Sequence, residues 1–272
     1  MNTTETKTSR EENILLEANL LARFVYLSES AHMRFFVEPE ISWFTTDIAY
    51  PNYLFNTVLR AKFATPEVAH AFINGLLYDA EARQMAIYWF VGPATQPAQL
   101  GEYLETYHFQ PVFPLQGMSL KLADLNENLP FPADFTVKRV ENLSQLREFV
   151  TVLARNSGTP PAIADEWFEL EASLGVEDSL PWQRYLGLWQ GEPVAACSFV
   201  SGAGVAGLYQ VATLPPARGH GLATAISLTA LHEARRRGHQ TAVLHSTPQA
   251  VKVYRQLGFQ PAANLMLYLW QK

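Results

Sequence analysis

The sequence predicts a mixed α/β fold, an α+β arrangement on a mixed sheet, organised as two tandem halves. Three observations carry this expectation. Apolar runs of strand length alternate with segments of helical period along the chain. A glycine loop at 218–221, Arg-Gly-His-Gly, hands a strand-like run over to an Ala- and Leu-rich helix. Residues 124–134, DLNENLPFPAD, form a linker of Asp, Asn and Pro between two stretches of similar element order. With 272 residues, each stretch is long enough to bury a core.

Taken in order, residues 11–27 repeat apolar side chains at helical spacing (Leu15, Leu16, Leu21, Phe24) and read as an opening helix. Residues 33–46 are aromatic and β-prone, and Pro39 divides them into two short strands. Residues 53–63 read as a strand pair or one long strand. Thr65-Pro66 opens a helix with an N-cap and a first-turn proline. A buried strand at 86–91, a short helix at 97–108 and a closing strand at 116–122 complete the first half. Beyond the linker come a strand (135–140), helices at 143–155 and 164–174, and strands at 184–189 and 194–200. The turn Gly202-Ala-Gly204 leads into a central strand that ends at the glycine loop. A helix, a strand at 241–246, a short helix and a last strand follow.

Composition narrows the function. Hydrophobic residues make up 48% and charged residues 17%, the balance of a folded globular chain. A net charge of −6 speaks against nucleic acid as a partner. The one basic cluster, Arg235-Arg236-Arg237, suits the C-terminal dipole of its helix. No apolar run reaches the roughly 18 residues of a membrane span, and the polar N-terminus is unlike a secretory signal. A single cysteine, Cys197, lies in an apolar strand run and reads as a packed side chain; the expected location is the cytoplasm.

The glycine loop is the chemical signal. A strand-to-helix turn through glycines leaves backbone N–H groups free at the positive end of a helix dipole, a site for phosphate. Gly219 and Gly221 allow close approach, and Arg218 adds a cation. No Lys follows Gly221, so this is not a nucleotide-triphosphate loop of the Gly-Lys-Ser/Thr type. Thr224 and the absence of an acid after the next strand disfavour a dinucleotide fold, and with it an oxidoreductase.

Residues 218–223, RGHGLA, fit the pattern Arg/Gln-x-x-Gly-x-Gly/Ala at each fixed position. Downstream, Ala250, Tyr254, Gly258 and Phe259 fall in the register Ala-x-x-x-Tyr-x-x-x-Gly-Phe. In this order the two motifs resemble the GCN5-related N-acetyltransferase (GNAT) superfamily over about residues 134–271. The resemblance implies an acyl-CoA N-acyltransferase fold, acetyl-CoA as acyl donor, no metal, and direct transfer to a primary amine of a small molecule or peptide. It implies that the backbone of Val211, Ala212 and Thr213 pairs with the pantetheine arm. Arg218, Gly219, His220, Gly221, Leu222, Ala223 and Thr224 would surround the pyrophosphate, and Tyr254 would protonate the leaving thiolate. Thr247 stands where relatives often carry an Asn that contacts the cofactor.

The strand holding Tyr209 and Gln210 lacks the carboxylate that relatives often place there, which leaves His245 as the nearest candidate base. Glu171, four residues from Trp167, lies beside the apolar face of its helix and is the candidate to hold a cationic acceptor; the other reading is a solvated acidic helix. The first half ends in a similar Phe109-Gln-Pro111, but it has no glycine loop, and Leu104 stands where the tyrosine would be. The expected organisation is a degenerate GNAT-like domain (1–123), a linker (124–133) and a catalytic domain (134–272). An exposed sheet edge would also permit a homodimer. A different reading is an acyl-CoA-binding sensor or scaffold that keeps the loop but has no use for Tyr254.

Overall fold

The fold is that of a computed structural model, which describes residues 3–272, with side chains from residue 11 onward. The chain forms two compact units that interleave in sequence. The larger takes the residues up to Arg23 together with Gly117–Ala262; the smaller takes Phe24–Gln116 together with Ala263–Lys272. The linker-based boundaries do not coincide with these units, because each unit is closed by a strand from the other half of the sequence. Among the described residues no helix is long and apolar enough to cross a membrane.

The smaller unit is built on strands β1 (Met33–Val37), β2 (Ile41–Thr46), β3 (Thr57–Ala61) and β4 (Ile87–Val91). β1–β2 and β2–β3 are antiparallel, whereas β3 and β4 run parallel through two pairs, Thr57 with Tyr88 and Val58 with Trp89. The antiparallel neighbour of β4 is the end of the chain's last strand, in the register Met266–Val91 to Trp270–Ile87. The strand at 57–61 is shorter than residues 53–63 suggest. Residues 53–56 instead form a turn, in which the Asn52 side chain accepts from the Leu54 N–H and the Asn52 carbonyl from that of Phe55. Helix α2 (Pro66–Ala82) begins as expected, with Thr65 Oγ1 accepting from the Val68 N–H and Glu67 in the first turn. It packs with the short helix Leu100–Thr106 over a core of Trp89, Phe109, Ile73 and Leu104, all fully buried.

In the larger unit the strand order is β5-β10-β9-β8-β7-β6. These are β5 (Gln110–Lys121), β6 (Phe135–Arg139), β7 (Trp182–Trp189), β8 (Glu192–Gly202), β9 (Val205–Thr213) and β10 (Thr241–Ser246). β6 to β9 form an antiparallel meander, and β9 to β10 is the parallel step. Helices α4 (Leu143–Ser157), α5 (Pro161–Ala172) and α6 (Leu222–Arg236) cover the sheet. Numbering the helix at 100–106 α3, the last two elements are α7 (Val251–Leu257) and β11 (Gln260–Trp270). Asn142 caps α4 by accepting from the Gln145 N–H at 2.9 Å, and Gly158 ends it in the left-handed region. The apolar stripe of α6, from Leu222 through Ile226 and Leu231 to Ala234, meets Cys197, Phe199 and Leu208 in one core.

Helix α1 (Thr3–Leu27) contributes to this unit through Asn19, which is completely buried. Its amide nitrogen donates to the carbonyls of Val200, Gly202 and Val205, and its oxygen accepts from the Tyr209 hydroxyl at 2.7 Å. The carbonyls of a β8–β9 hairpin end, otherwise open, are thereby satisfied from another element. Gly207 makes the approach possible, because a Cβ there would overlap the Asn19 amide and stand 2.5 Å from the Tyr209 ring. Gly207→Ala is therefore expected to lower stability by about 1–3 kcal/mol, as overpacking does, measured by urea unfolding.

Candidate active site

The site begins where β9 leaves β10. Their parallel pairing comprises Ala206–Ala242, Gly207–Val243 and Leu208–Leu244, and ends there. On its other edge β9 is in register with β8 at Ala212–Ala196 and again at Tyr209–Ser198. Gln210 and Val211 therefore face the single residue Cys197, which is a β-bulge. Gln210 takes a positive φ of 52°, a conformation few non-glycine residues adopt. The bulge turns residues 209–213 away from β10, so that their backbone groups on that side line a fork between two strands. The buried Thr213 Oγ1 also has no hydrogen-bond partner among the described residues.

At the mouth of the fork lies the glycine loop. A turn of 3-10 helix at Pro215–Ala217 leads to Arg218, and Gly219 and Gly221 both take positive φ, 82° and 78°. Gly221 is the N-cap of α6, without a side-chain cap. The first helical bond runs from the Ala225 N–H to the Gly221 carbonyl, so the N–H groups of Leu222, Ala223 and Thr224 precede the ladder. They sit at the positive end of a 15-residue helix. A Cβ on Gly219 would meet nothing within 4 Å, so the loop presents an open face. Arg218 is held beside it, Nε donating to the Thr213 carbonyl at 3.0 Å and Nη2 to Asn156 Oδ1 at 2.9 Å. His220 is exposed and tilts against the Trp189 ring at 4.5 Å. These donors, with one cation, fit an anion such as a pyrophosphate.

The second motif forms α7. Its N-cap is Ala250, whose N–H donates to the Thr247 carbonyl, and Gly258 ends it in the left-handed region. Tyr254 is mostly buried, edge-on to Phe259 at 6.0 Å, in the same core cluster as Leu208 and Leu222. Tyrosine motif and glycine loop are thus packed into one body.

Residues 147–259 match the model of the acetyltransferase (GNAT) family. The match takes in α5, the β9 bulge, the glycine loop and α7. Solved structures extend the likeness to most of the chain. A GCN5-related N-acetyltransferase from Kribbella flavida is 20% identical, with 92% of this chain and 94% of that one covered at a TM-score of 0.67. One from Sphaerobacter thermophilus is 17% identical, with 85% and 80% covered at 0.61. A tandem GNAT protein from the clavulanic acid biosynthesis pathway is 12% identical, with 97% and 95% covered at 0.62. At such identities the likeness is one of fold, the acyl-CoA N-acyltransferase fold. No curated protein matches the sequence.

Within the matched segment, two candidate residues lie in environments that the sequence did not disclose. Both ring nitrogens of His245 are closed off from solvent and lack a hydrogen-bond partner among the described residues. Burial pushes its pKa down to about 4, and the Arg23 guanidinium acts in the same direction. His245 is therefore neutral at pH 7. Glu171 is neither solvated nor free. It is 1% exposed, and its Oε2 accepts from Arg184 Nε at 2.7 Å, with Arg184 equally buried. Its Oε1 accepts from Gln210 Nε2 at 2.9 Å and from Trp167 Nε1 at 3.3 Å. The exposed acids of α5, Asp165 and Glu169, pair with Arg147 instead. Gln210, Arg184, Asn156 and Asn19 escape motif reading, because each acts through a contact distant in sequence.

The histidine has a consequence for stability. A folded pKa of about 4 against 6.5 means that the unfolded chain binds the proton first, so this contribution is complete above 6.5 and is lost as pH falls toward 4. Between pH 7 and pH 5 it should cost about 2 kcal/mol, and His245→Gln should remove that part of the slope in urea unfolding.

Proposed function

We propose that the protein transfers an acetyl group from acetyl-CoA to a primary amine of a small molecule or peptide, by direct attack. The observation that carries this reading is the fork of β9 opening beside an uncapped helix N-terminus. In it, the backbone edge of Val211, Ala212 and Thr213 that no longer pairs with β10 holds the pantetheine arm as an added strand would. The loop from Arg218 through Gly219, His220, Gly221, Leu222 and Ala223 to Thr224 holds the pyrophosphate, and the Thr247 hydroxyl takes the place of the Asn that contacts the cofactor in relatives. When bound, acetyl-CoA supplies an acetyl group activated as a thioester.

The chain's own contribution is largely positional: it fixes the thioester beside the amine and excludes water. Tyr254 Oη gives its proton to the departing thiolate; phenols and thiols have comparable basicity, with pKa values of about 8.5–10. His245, neutral and with one ring nitrogen able to accept a proton, is the candidate base for the amine, at reduced basicity. A cationic acceptor reaching for Glu171 would have to compete with Arg184. Direct attack is favoured over an acyl-enzyme because Cys197 is fully buried and burial pushes its thiol far above its usual range.

We assign the chemistry to residues 134–272 and read residues 1–123 as a degenerate GNAT-like half joined by the linker at 124–133. The helix that connects the parallel strand pair differs between them. In α2, Thr65 occupies a first-turn N–H and Glu67 places an anion there, whereas α6 has a glycine cap and no acid. A pyrophosphate would be repelled by the first and attracted by the second.

A thiol-release assay over a panel of amines tests the reading. Tyr254→Phe should lower kcat on the order of 10²–10⁴-fold with acetyl-CoA binding retained. Binding of acetyl-CoA by wild type without turnover on any amine would replace the enzyme with a sensor. Arg218→Ala should raise the Kd for acetyl-CoA about tenfold, read by calorimetry, since one charge-assisted contact is lost.

A further inference from the structure

The bulge in β9 is held by a buried polar chain. Arg184 Nε donates to Glu171 Oε2 at 2.7 Å, and Glu171 Oε1 accepts from Gln210 Nε2 at 2.9 Å. Gln210 Oε1 in turn accepts from the Ser198 hydroxyl at 2.9 Å. Both charged members are 1% exposed, and Arg184 Nη1 is anchored on the Gly175 carbonyl at 3.1 Å. Both ends of the Gln210 amide are thus fixed, one by a helix and one by the neighbouring strand. The residue so fixed is the one whose backbone sits at positive φ. Such a conformation persists where its surroundings over-determine it.

We infer that the buried Glu171–Arg184 pair is a positioning device which, through Gln210, holds the β9 bulge in the shape the reaction uses. This rests on the reading of the fork as the acyl-transfer site. Glu171 is then no substrate residue: its two oxygens are directed at Arg184 and Gln210, and it reaches the fork only through the latter. The residue just before the bulge is fixed too, Tyr209 by its hydroxyl on Asn19 and by the Arg23 guanidinium 4.4 Å from its ring centre. Two successive side chains at the turning point of the strand are therefore each tied to another element. A buried ion pair is an expensive way to gain stability alone, since apolar residues of similar volume commonly do as well. What it provides is a fixed anion at the place where an amide must be oriented.

The test removes the pair without leaving a lone buried charge. Glu171→Met/Arg184→Met is compared with wild type and with Gln210→Met, which keeps the pair but removes the amide. Three readouts are taken on the full chain: thermal unfolding, amide hydrogen exchange over residues 209–213, and kcat against KM for amine and acetyl-CoA. Positioning predicts near-wild-type unfolding of the double variant, exchange in 209–213 faster by about tenfold or more, and kcat lowered by about tenfold, with both KM values within about twofold. Gln210→Met should reproduce the exchange and kcat changes. Unchanged exchange in the double variant overturns the inference. So does a rise confined to the KM of a cationic amine, which would make Glu171 a substrate contact. If wild type neither binds nor turns over acetyl-CoA, the functional reading falls, while the exchange data still decide whether the pair holds the bulge.

Discussion

The structure depends on one interrupted ladder. A parallel strand pair normally continues until one strand ends; here β9 and β10 stop at Leu208–Leu244, while β9 runs on to Thr213. The cause is the extra residue that β9 inserts against β8, with Gln210 in the left-handed region. Everything chemical in the larger unit follows from that divergence: it frees a strand edge and points it at the start of α6. A regular ladder at the same residues would have satisfied the backbone of 209–213 internally and left no fork.

The surrounding polar groups show how such an irregularity is tolerated. Few buried polar atoms near it are left to chance: Asn19 closes the hairpin carbonyls, and Arg218 binds the Thr213 carbonyl where β9 ends. Buried polar atoms that lack a hydrogen-bond partner among the described residues include the His245 nitrogens, Thr213 Oγ1 and Arg184 Nη2.

Much of this was legible from residue order alone. Period and punctuation placed nearly every element, because Thr65-Pro66, Asn156-Ser-Gly158 and Gly202-Ala-Gly204 are local signals whose physics does not depend on the fold. The glycine loop and the tyrosine register were legible as local structure for the same reason: spacing in one segment fixes geometry in that segment. The bulge was not legible, since Gln210 sits in an ordinary β-prone run and its backbone angle is imposed by Glu171 and Ser198. Glu171 shows the same limit. Its place on a helix beside an apolar face was readable, but its partner is Arg184, on a different element. The length of residues 53–63 as a strand was misjudged because Asn52 turns the chain by side-chain bonding, which outweighs the β-propensity of Tyr53, Leu54 and Phe55.

The closing strands carry a consequence for how the chain comes to be folded. β4 finds its antiparallel neighbour only in Ala263–Lys272, and the larger unit includes Gly117–Lys121 from the end of the first half. During synthesis the edge of β4 waits for Met266–Trp270 to emerge, since the pairing of Ile87 with Trp270 spans just over 180 positions of sequence. Without Met266–Trp270, β4 would lose this antiparallel neighbour, and an exposed strand edge pairs with whatever strand is nearest.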